Sequence, residues 1–286
     1  MSGYKCHFCA ECDGHGCLGE LPGMGGVFES ANFIANCTAW KKYYADVPHD
    51  YELPLIRLAP ITGGVENVGY DDEAAFYFDL IEACSHVVLL LSIGDGYPDV
   101  KIQGGLAALQ RYGKTGAVFI KPYPNPRIFE RIDWVRESAE LIGVDIDSYN
   151  IVTMRNLVHL EQKDAYSLKE IRRYAQKPFA IKGIFLPENV ELVKELRPDI
   201  AVISNHGGRI ETRRGSTADF LAEYGNTLRK FTGEIWVDGG LRSREDIAAA
   251  KQLGATQVMI GRPCITALLS NGAIGMQELY RRLTVD

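Results

Sequence analysis

Ile200-Ala201-Val202-Ile203-Ser204-Asn205-His206-Gly207-Gly208-Arg209 runs from an unbroken apolar stretch into a polar, glycine-rich turn. The apolar stretch reads as a strand buried on both faces, and the turn sets an imidazole three residues from a guanidinium. The design recurs at Val237-Asp238-Gly239-Gly240-Leu241-Arg242 and at Ile260-Gly261-Arg262-Pro263. Outward from these stretches, short apolar runs at 54–59, 86–92, 116–121, 141–147, 179–182, 200–204, 234–238 and 256–260 make eight predicted strands. Helical spacing falls between them at 71–84, 127–141, 187–196, 216–231 and 243–253. Ser243 with Asp246, and Ser167 with Glu170, have capping-box spacing, and Gly254 is placed to close the helix begun at Ser243. This alternation predicts an α/β protein, a (β/α)8 TIM barrel. A doubly wound sheet is the competitor, but no G-x-G-x-x-G follows the first strand, and eight units fit the length. In a barrel the strand C-terminal ends meet at one face, where catalysis occurs. Those ends carry Thr62, Ser92, Lys121, Asp145, Asp147, Lys182, His206, Asp238 and Arg262, far more polar than connecting loops require.

The chain has 286 residues, 46% hydrophobic and 24% charged, ordinary values for a globular protein. Its formal charge of −6 argues against a general nucleic-acid binder. No apolar run reaches the roughly 18 residues that span a bilayer, and the first residues lack a signal-peptide core. A cytoplasmic protein is expected, acting on a small anionic substrate as a homo-oligomer, without nucleic-acid or membrane partners. Four of the seven cysteines, Cys6, Cys9, Cys12 and Cys17, crowd one segment with C-x2-C-x2-C-x4-C spacing. They suit a tetrahedral zinc site or an iron–sulfur cluster, or equally a reduced arm without metal. Cys84 and Cys264 sit among apolar residues and read as core thiols. The expected organisation is a Cys-rich arm, 1–50, followed by the barrel, 51–286.

Imidazole is the usual general base near neutral pH, and a guanidinium can grip a carboxylate with two parallel hydrogen bonds. His206 and Arg209 therefore suit an anion with an oxidisable or acidic carbon beside its carboxylate. Lys182 lies among Phe179, Ala180, Ile181 and Ile184, so a charged Lys182 needs an anionic partner. It could form a Schiff base or stabilise a cofactor anion, and the neighbouring motifs favour the second. Gly239, Gly240 and Arg242, with Gly261 and Arg262, read as a phosphate seat in the loops after strands seven and eight. Asp238 can accept from a ribityl or ribose hydroxyl.

SNHGGR, VDGGLRS and IGRP, in this order and spacing, resemble the FMN-dependent α-hydroxy-acid oxidase and dehydrogenase family, which includes glycolate oxidase and lactate oxidase. Phe179-Ala-Ile-Lys-Gly-Ile184 resembles the family's strand-five lysine segment. The resemblance covers about residues 52–270 in layout and is specific over 178–263. It implies FMN as cofactor and His206 as the proton acceptor while the α-carbon is oxidised. It implies Arg209 on the substrate carboxylate and Lys182 beside the flavin N1/O2 region. It places Asp238, Gly239, Gly240, Arg242, Gly261 and Arg262 on the ribityl phosphate. More loosely, it places Pro60, Thr62, Ser92, Lys121, Ser204 and Tyr123 around flavin and substrate. The chain departs from the pattern in several places, among them Ile210-Glu211-Thr212 where Leu-Asp usually follows HGGR and a much reduced loop after strand four. Lys121 stands where the family usually has Gln, and Asp147-Ser148-Tyr149-Asn150 replaces Thr-Pro-Arg and its second substrate arginine, with Arg155 a possible substitute. An alternative reading is a flavin- or phosphate-binding barrel of isomerase or sensor type, without hydroxy-acid turnover.

Overall fold

A computed structural model describes residues 31–46, 52–150, 158–210 and 212–285. Its eight strands are β1 Leu55–Leu58, β2 Ser92–Gly94, β3 Gly116–Ile120, β4 Ala139–Asp145, β5 Phe179–Ile184, β6 Ile200–Ile203, β7 Glu234–Asp238 and β8 Gln257–Ile260. The helices are α1 Ala31–Ala39, α2 Glu73–Ser85, α3 Val100–Arg111, α4 Asn125–Val135, α5 Ala165–Ala175, α6 Pro187–Leu196, α7 Thr217–Leu228, α8 Arg244–Gln252 and α9 Arg262–Thr284. All strand pairs are parallel, in the order β1-β8-β7-β6-β5-β4-β3-β2. A bridge between Arg57 and Leu90 joins the two ends, with Leu58 N donating to Leu90 O at 2.8 Å and Leu90 N to Ile56 O at 3.0 Å. The ring is closed, and the expected (β/α)8 barrel is the fold.

The strands are apolar on both faces because each face has its own core. One set of side chains packs outward under the helices. A separate cluster of Ala117, Phe119, Leu141, Ala180, Ile200, Val202, Trp236 and Met259 fills the lumen. Side chains alternate along a strand, so one further step from Phe119, Ala180, Val202 and Trp236 reaches Lys121, Lys182, Ser204 and Asp238, and two steps from Leu141 reach Asp145. The polar mouth is thus the top layer of the same stripes. At the floor Arg57 is buried over the Trp236 ring at 4.6 Å. It donates to Leu91 O at 2.7 Å and Gln257 Oε1 at 3.0 Å and pairs with Glu140. Arg57→Ala leaves Leu91 O and Gln257 Oε1 without their buried donor, so it should cost about 1–3 kcal/mol, measured as a lowered urea midpoint.

Several elements differ from expectation. The second strand starts at Ser92, because 86–91 caps α2 and then bridges to β1 only at Leu90. The helix expected over 127–141 ends at Val135, and Ala139 and Leu141 pair with β3 instead. Ser167 does not start α5; Asp164 does, accepting from Ser167 N at 2.7 Å. Helix α3 escapes sequence patterning because Gly104 and Gly105 oppose helix formation. They are there for close packing, since a Cβ on Gly105 would lie 2.9 Å from Ile93. Cys84 and Cys264 are fully buried, as expected. Cys6, Cys9, Cys12 and Cys17, and also Arg155, lie outside the described residues. Among the described residues no helix is long and apolar enough to cross a membrane.

Candidate active site at the barrel mouth

A chain of alternating charge crosses the C-terminal end of the barrel. Lys121 Nζ lies 2.8 Å from Asp145 Oδ2, and Lys182 Nζ lies 3.5 Å from both Asp145 Oδ1 and Asp238 Oδ2. Ser204 Oγ donates to Asp238 Oδ2 at 2.8 Å. Burial works against a charge on Asp145, yet Lys121 and Lys182 together hold its carboxyl below the usual range. Burial likewise opposes the Lys182 ammonium, and Asp145, Asp238 and Asp147 more than reverse this, raising it above an ordinary lysine. Lys182 is therefore a fixed cation, which disfavours its use as a Schiff-base amine.

His206 adopts a left-handed backbone at φ 55°, a conformation costing a bulky residue about 1–3 kcal/mol. The turn is held by Asn205, whose Oδ1 accepts from Gly208 N at 3.0 Å, and by His206 N donating to Ser204 Oγ at 3.2 Å. The ring is clamped at both nitrogens: Nδ1 is 3.1 Å from both Asp147 carboxylate oxygens, and Nε2 is 3.4 Å from Lys121 Nζ. A carboxylate can only accept and an ammonium can only donate, so both neighbours impose the same tautomer, with hydrogen on Nδ1 and the lone pair on Nε2. Burial first, then Lys182 and Lys121, push His206 below its ordinary pKa against the opposing pull of Asp147. The neutral base is favoured at neutral pH.

Arg209 donates to His206 O at 3.2 Å, and Arg262 to Gly207 O at 3.1 Å with its guanidinium stacked over Phe33 at 4.7 Å. Burial, then the nearby Arg262, push Arg209 down to about 9. Two guanidiniums flank one turn, which is the chemistry of an anion site. Pro60 and Thr62 lie against Gly94, next to buried Ser92. Tyr123 is buried and donates its hydroxyl to Gly96 O at 3.3 Å, and Arg242 turns to Leu241 O at 2.9 Å and Cys37 Sγ at 3.7 Å.

Helix α1 covers the β6 and β7 turns. Asn36 Nδ2 donates to Asn205 Oδ1 at 2.8 Å, and Asn36 Oδ1 accepts from Thr217 N at 3.0 Å. Trp40 Nε1 donates to Gly239 O at 2.9 Å. A Cβ on Gly240 would lie 1.8 Å from Asn36 O, so this glycine is demanded by helix packing as well as by its φ of 78°. Sequence reading placed Asp145 and Asp147 at the barrel mouth without a role and did not single out Asn36 or Trp40. The Asp-x-Asp spacing at the end of an apolar run was a signal that both carboxylates share one face; the other two residues had none. Asp145, Asp147 and His206 also each bring a potential metal-ligand atom within 4.8 Å of one another. Lys121 and Lys182 already supply the positive charge there, so the trio reads as part of the charge network.

Residues 131–286 match the sequence pattern of the FMN-dependent dehydrogenase family. The chain belongs to that family. The 4-hydroxymandelate oxidase of Amycolatopsis orientalis is 32% identical over 122 residues, 42% of this chain and 33% of that protein. The 2-hydroxyacid oxidase 2 of Rattus norvegicus is 32% identical over 119 residues, again 42% and 33% of the two. The matched stretch thus spans about a third of these curated relatives. Among solved structures, a Pediococcus acidilactici protein described as a lactate oxidase superposes with a TM-score of 0.71 at 20% identity, covering 88% of this chain and 79% of its own. A mandelate oxidase variant with (S)-mandelic acid gives 0.70 at 20% identity, covering 93% and 85%. Both share the family's barrel.

The mouth fits the group that the family name implies. Ser92 Oγ, Asp145 Oδ1 and Asp238 Oδ1 are buried without hydrogen-bond partners among the described residues. Asp145 Oδ1 already faces the Lys182 ammonium at 3.5 Å. Asp238 Oδ1 can only accept and Ser92 Oγ can do either, so an occupant with N–H or O–H donors suits them, as a flavin ring and its polyol tail do. Gly261 leaves room beside it, since a Cβ there would meet only Ala59 at 3.6 Å.

Proposed function

We propose that the chain is an FMN-dependent oxidoreductase that oxidises a small 2-hydroxy acid, with His206 as general base. The observation that carries this reading is the doubly fixed imidazole. Its Nδ1 is tied to Asp147, its Nε2 lone pair faces the Lys121 ammonium, and burial favours the neutral ring. Asp238, Ser92 and Ser204 would hold the polar edges and tail of FMN, Lys182 its anionic edge, and Gly261 and Arg262 its phosphate. FMN supplies the acceptor for two electrons when bound. His206 takes a proton from the substrate as the α-carbon is oxidised, and Asp147 stabilises the resulting imidazolium. Arg209 orients the substrate carboxylate.

The first test is the visible spectrum of protein reconstituted with FMN, followed by anaerobic mixing with a panel of 2-hydroxy acids. Flavin bleaching is expected, and His206→Ala should slow it by about 10²–10⁴-fold. A bound flavin that no hydroxy acid bleaches would favour the isomerase or sensor reading. The spacing of Cys6, Cys9, Cys12 and Cys17 carries a separate proposal, a zinc or iron–sulfur site. Metal analysis of anaerobically purified protein decides it.

A further inference from the structure

In this site the lone pair that must accept the substrate proton already has a donor. Nε2 of His206 faces the Lys121 ammonium at 3.4 Å, and the same ammonium is tied to Asp145 at 2.8 Å. The contact to the imidazole is the longer and weaker of the two, and lysine is a flexible point charge that can redirect its hydrogens among several acceptors. Backbone placement does not require this contact. Lys121 is fixed through its N–H, which donates to Asp95 Oδ2 at 3.3 Å, while its side chain rises from the lumen stripe into the mouth. The lysine therefore covers the base until a stronger acceptor arrives.

We propose that Lys121 is a positioning residue that masks the Nε2 lone pair of His206 and releases it when a carboxylate enters the mouth. The incoming anion draws the ammonium away, so the base is uncovered only in the presence of the charged group that marks a substrate. The consequence is selectivity for acids over their neutral amides that is expressed in the proton-transfer step. The inference rests on the hydroxy-acid reading for its substrate, but the masking contact is a property of the protein alone.

Among the described residues, the charged groups that face or adjoin the imidazole are Asp147 and Asp145 from the end of β4, Lys121 beyond β3, Lys182 in β5, and Arg209 and Arg262 around its own turn. Removing the Lys121 charge and its N–H donor takes away two influences that favour neutral imidazole. The titration of His206 must then move to higher pH. Activity that needs the neutral base would fade at a higher pH as the medium is acidified.

The test follows the His206 Nε2 resonance in FMN-loaded, ¹⁵N-histidine-labelled protein, with acetate as a carboxylate that has no hydroxyl to offer. In the wild type, the Nε2 signal should lie at the position of a hydrogen-bonded lone pair and shift toward that of a free one when acetate is added. In Lys121→Met, and in Lys121→Gln should the first variant fold poorly, it should start nearer the free position and titrate at higher pH. Discrimination between a 2-hydroxy acid and its amide in kcat/KM should fall by about tenfold or more, the worth of one charged hydrogen bond. An Nε2 signal and titration unchanged in both variants, or no wild-type response to acetate, would overturn the proposal. Failure of the hydroxy-acid reading has a different signature: no acid bleaches the flavin, while the Nε2 difference between wild type and variants persists.

Discussion

Asp147→Asn should reduce the rate of flavin reduction by on the order of 10²–10⁴-fold with little loss of stability. The carboxylate accepts from Nδ1 at 3.1 Å through both of its oxygens. An amide nearly preserves the shape but presents an N–H as readily as a carbonyl, so it no longer dictates which ring nitrogen carries hydrogen. It also removes the negative charge that would stabilise an imidazolium, and it is the one neighbour found to pull His206 upward against burial and two lysines. His206 in the variant should titrate lower still. The remaining activity would therefore persist to more acidic pH while its ceiling collapses. Stopped-flow reduction across a pH series checks both parts. A variant that keeps wild-type rates would remove Asp147 from the proton-transfer machinery.

Gly240→Val should produce the largest structural effect of any single substitution at the mouth. A Cβ there falls 1.8 Å from Asn36 O and 2.7 Å from Cys37 N, both backbone atoms that no rotamer change can move aside. The φ of 78° adds left-handed strain for a β-branched residue. Strain of about 1–3 kcal/mol and overpacking of about 1–3 kcal/mol act together. Helix α1 should lose its seat, with the hydrogen bonds from Asn36 and Trp40 lost along with it. Faster amide exchange confined to 31–46 and to the β6 and β7 turns, with a lowered thermal midpoint, is the expected outcome. Uniform protection identical to wild type would show that α1 does not depend on this contact.

Much of this architecture was legible in the sequence because a parallel barrel writes itself in apolar runs of strand length. β7 falls where the run at 234–238 puts it and α6 where the pattern at 187–196 does. The error at 86–92 arose where helix cap, bridge and strand share one continuous apolar stretch, so composition cannot place the boundary. The site followed the same logic. His206, Lys182, Ser204 and Asp238 were readable because each ends an apolar run in a residue that has no place in a dry core. What stayed hidden was pairwise. Nothing local ties Lys121 to His206 across 85 positions, or Asn36 to Asn205 across 169. Those distances are set by ring closure and not by neighbours in the chain.

The staple between α1 and the late turns has a consequence for how the protein is made. Asn36 finds its partners at Asn205 and Thr217, and Trp40 finds its partner at Gly239. During synthesis α1 emerges long before any of them exists. Domains form as the chain leaves the ribosome, and contacts of such long sequence separation are among the last to close. Helix α1 is thus among the last elements to dock, and it stays without its seat until β7 has been translated. Arrested chains ending before Gly239 should expose 31–46 to protease, and full-length chains should not. Helix α1 is the latch that reports a finished barrel.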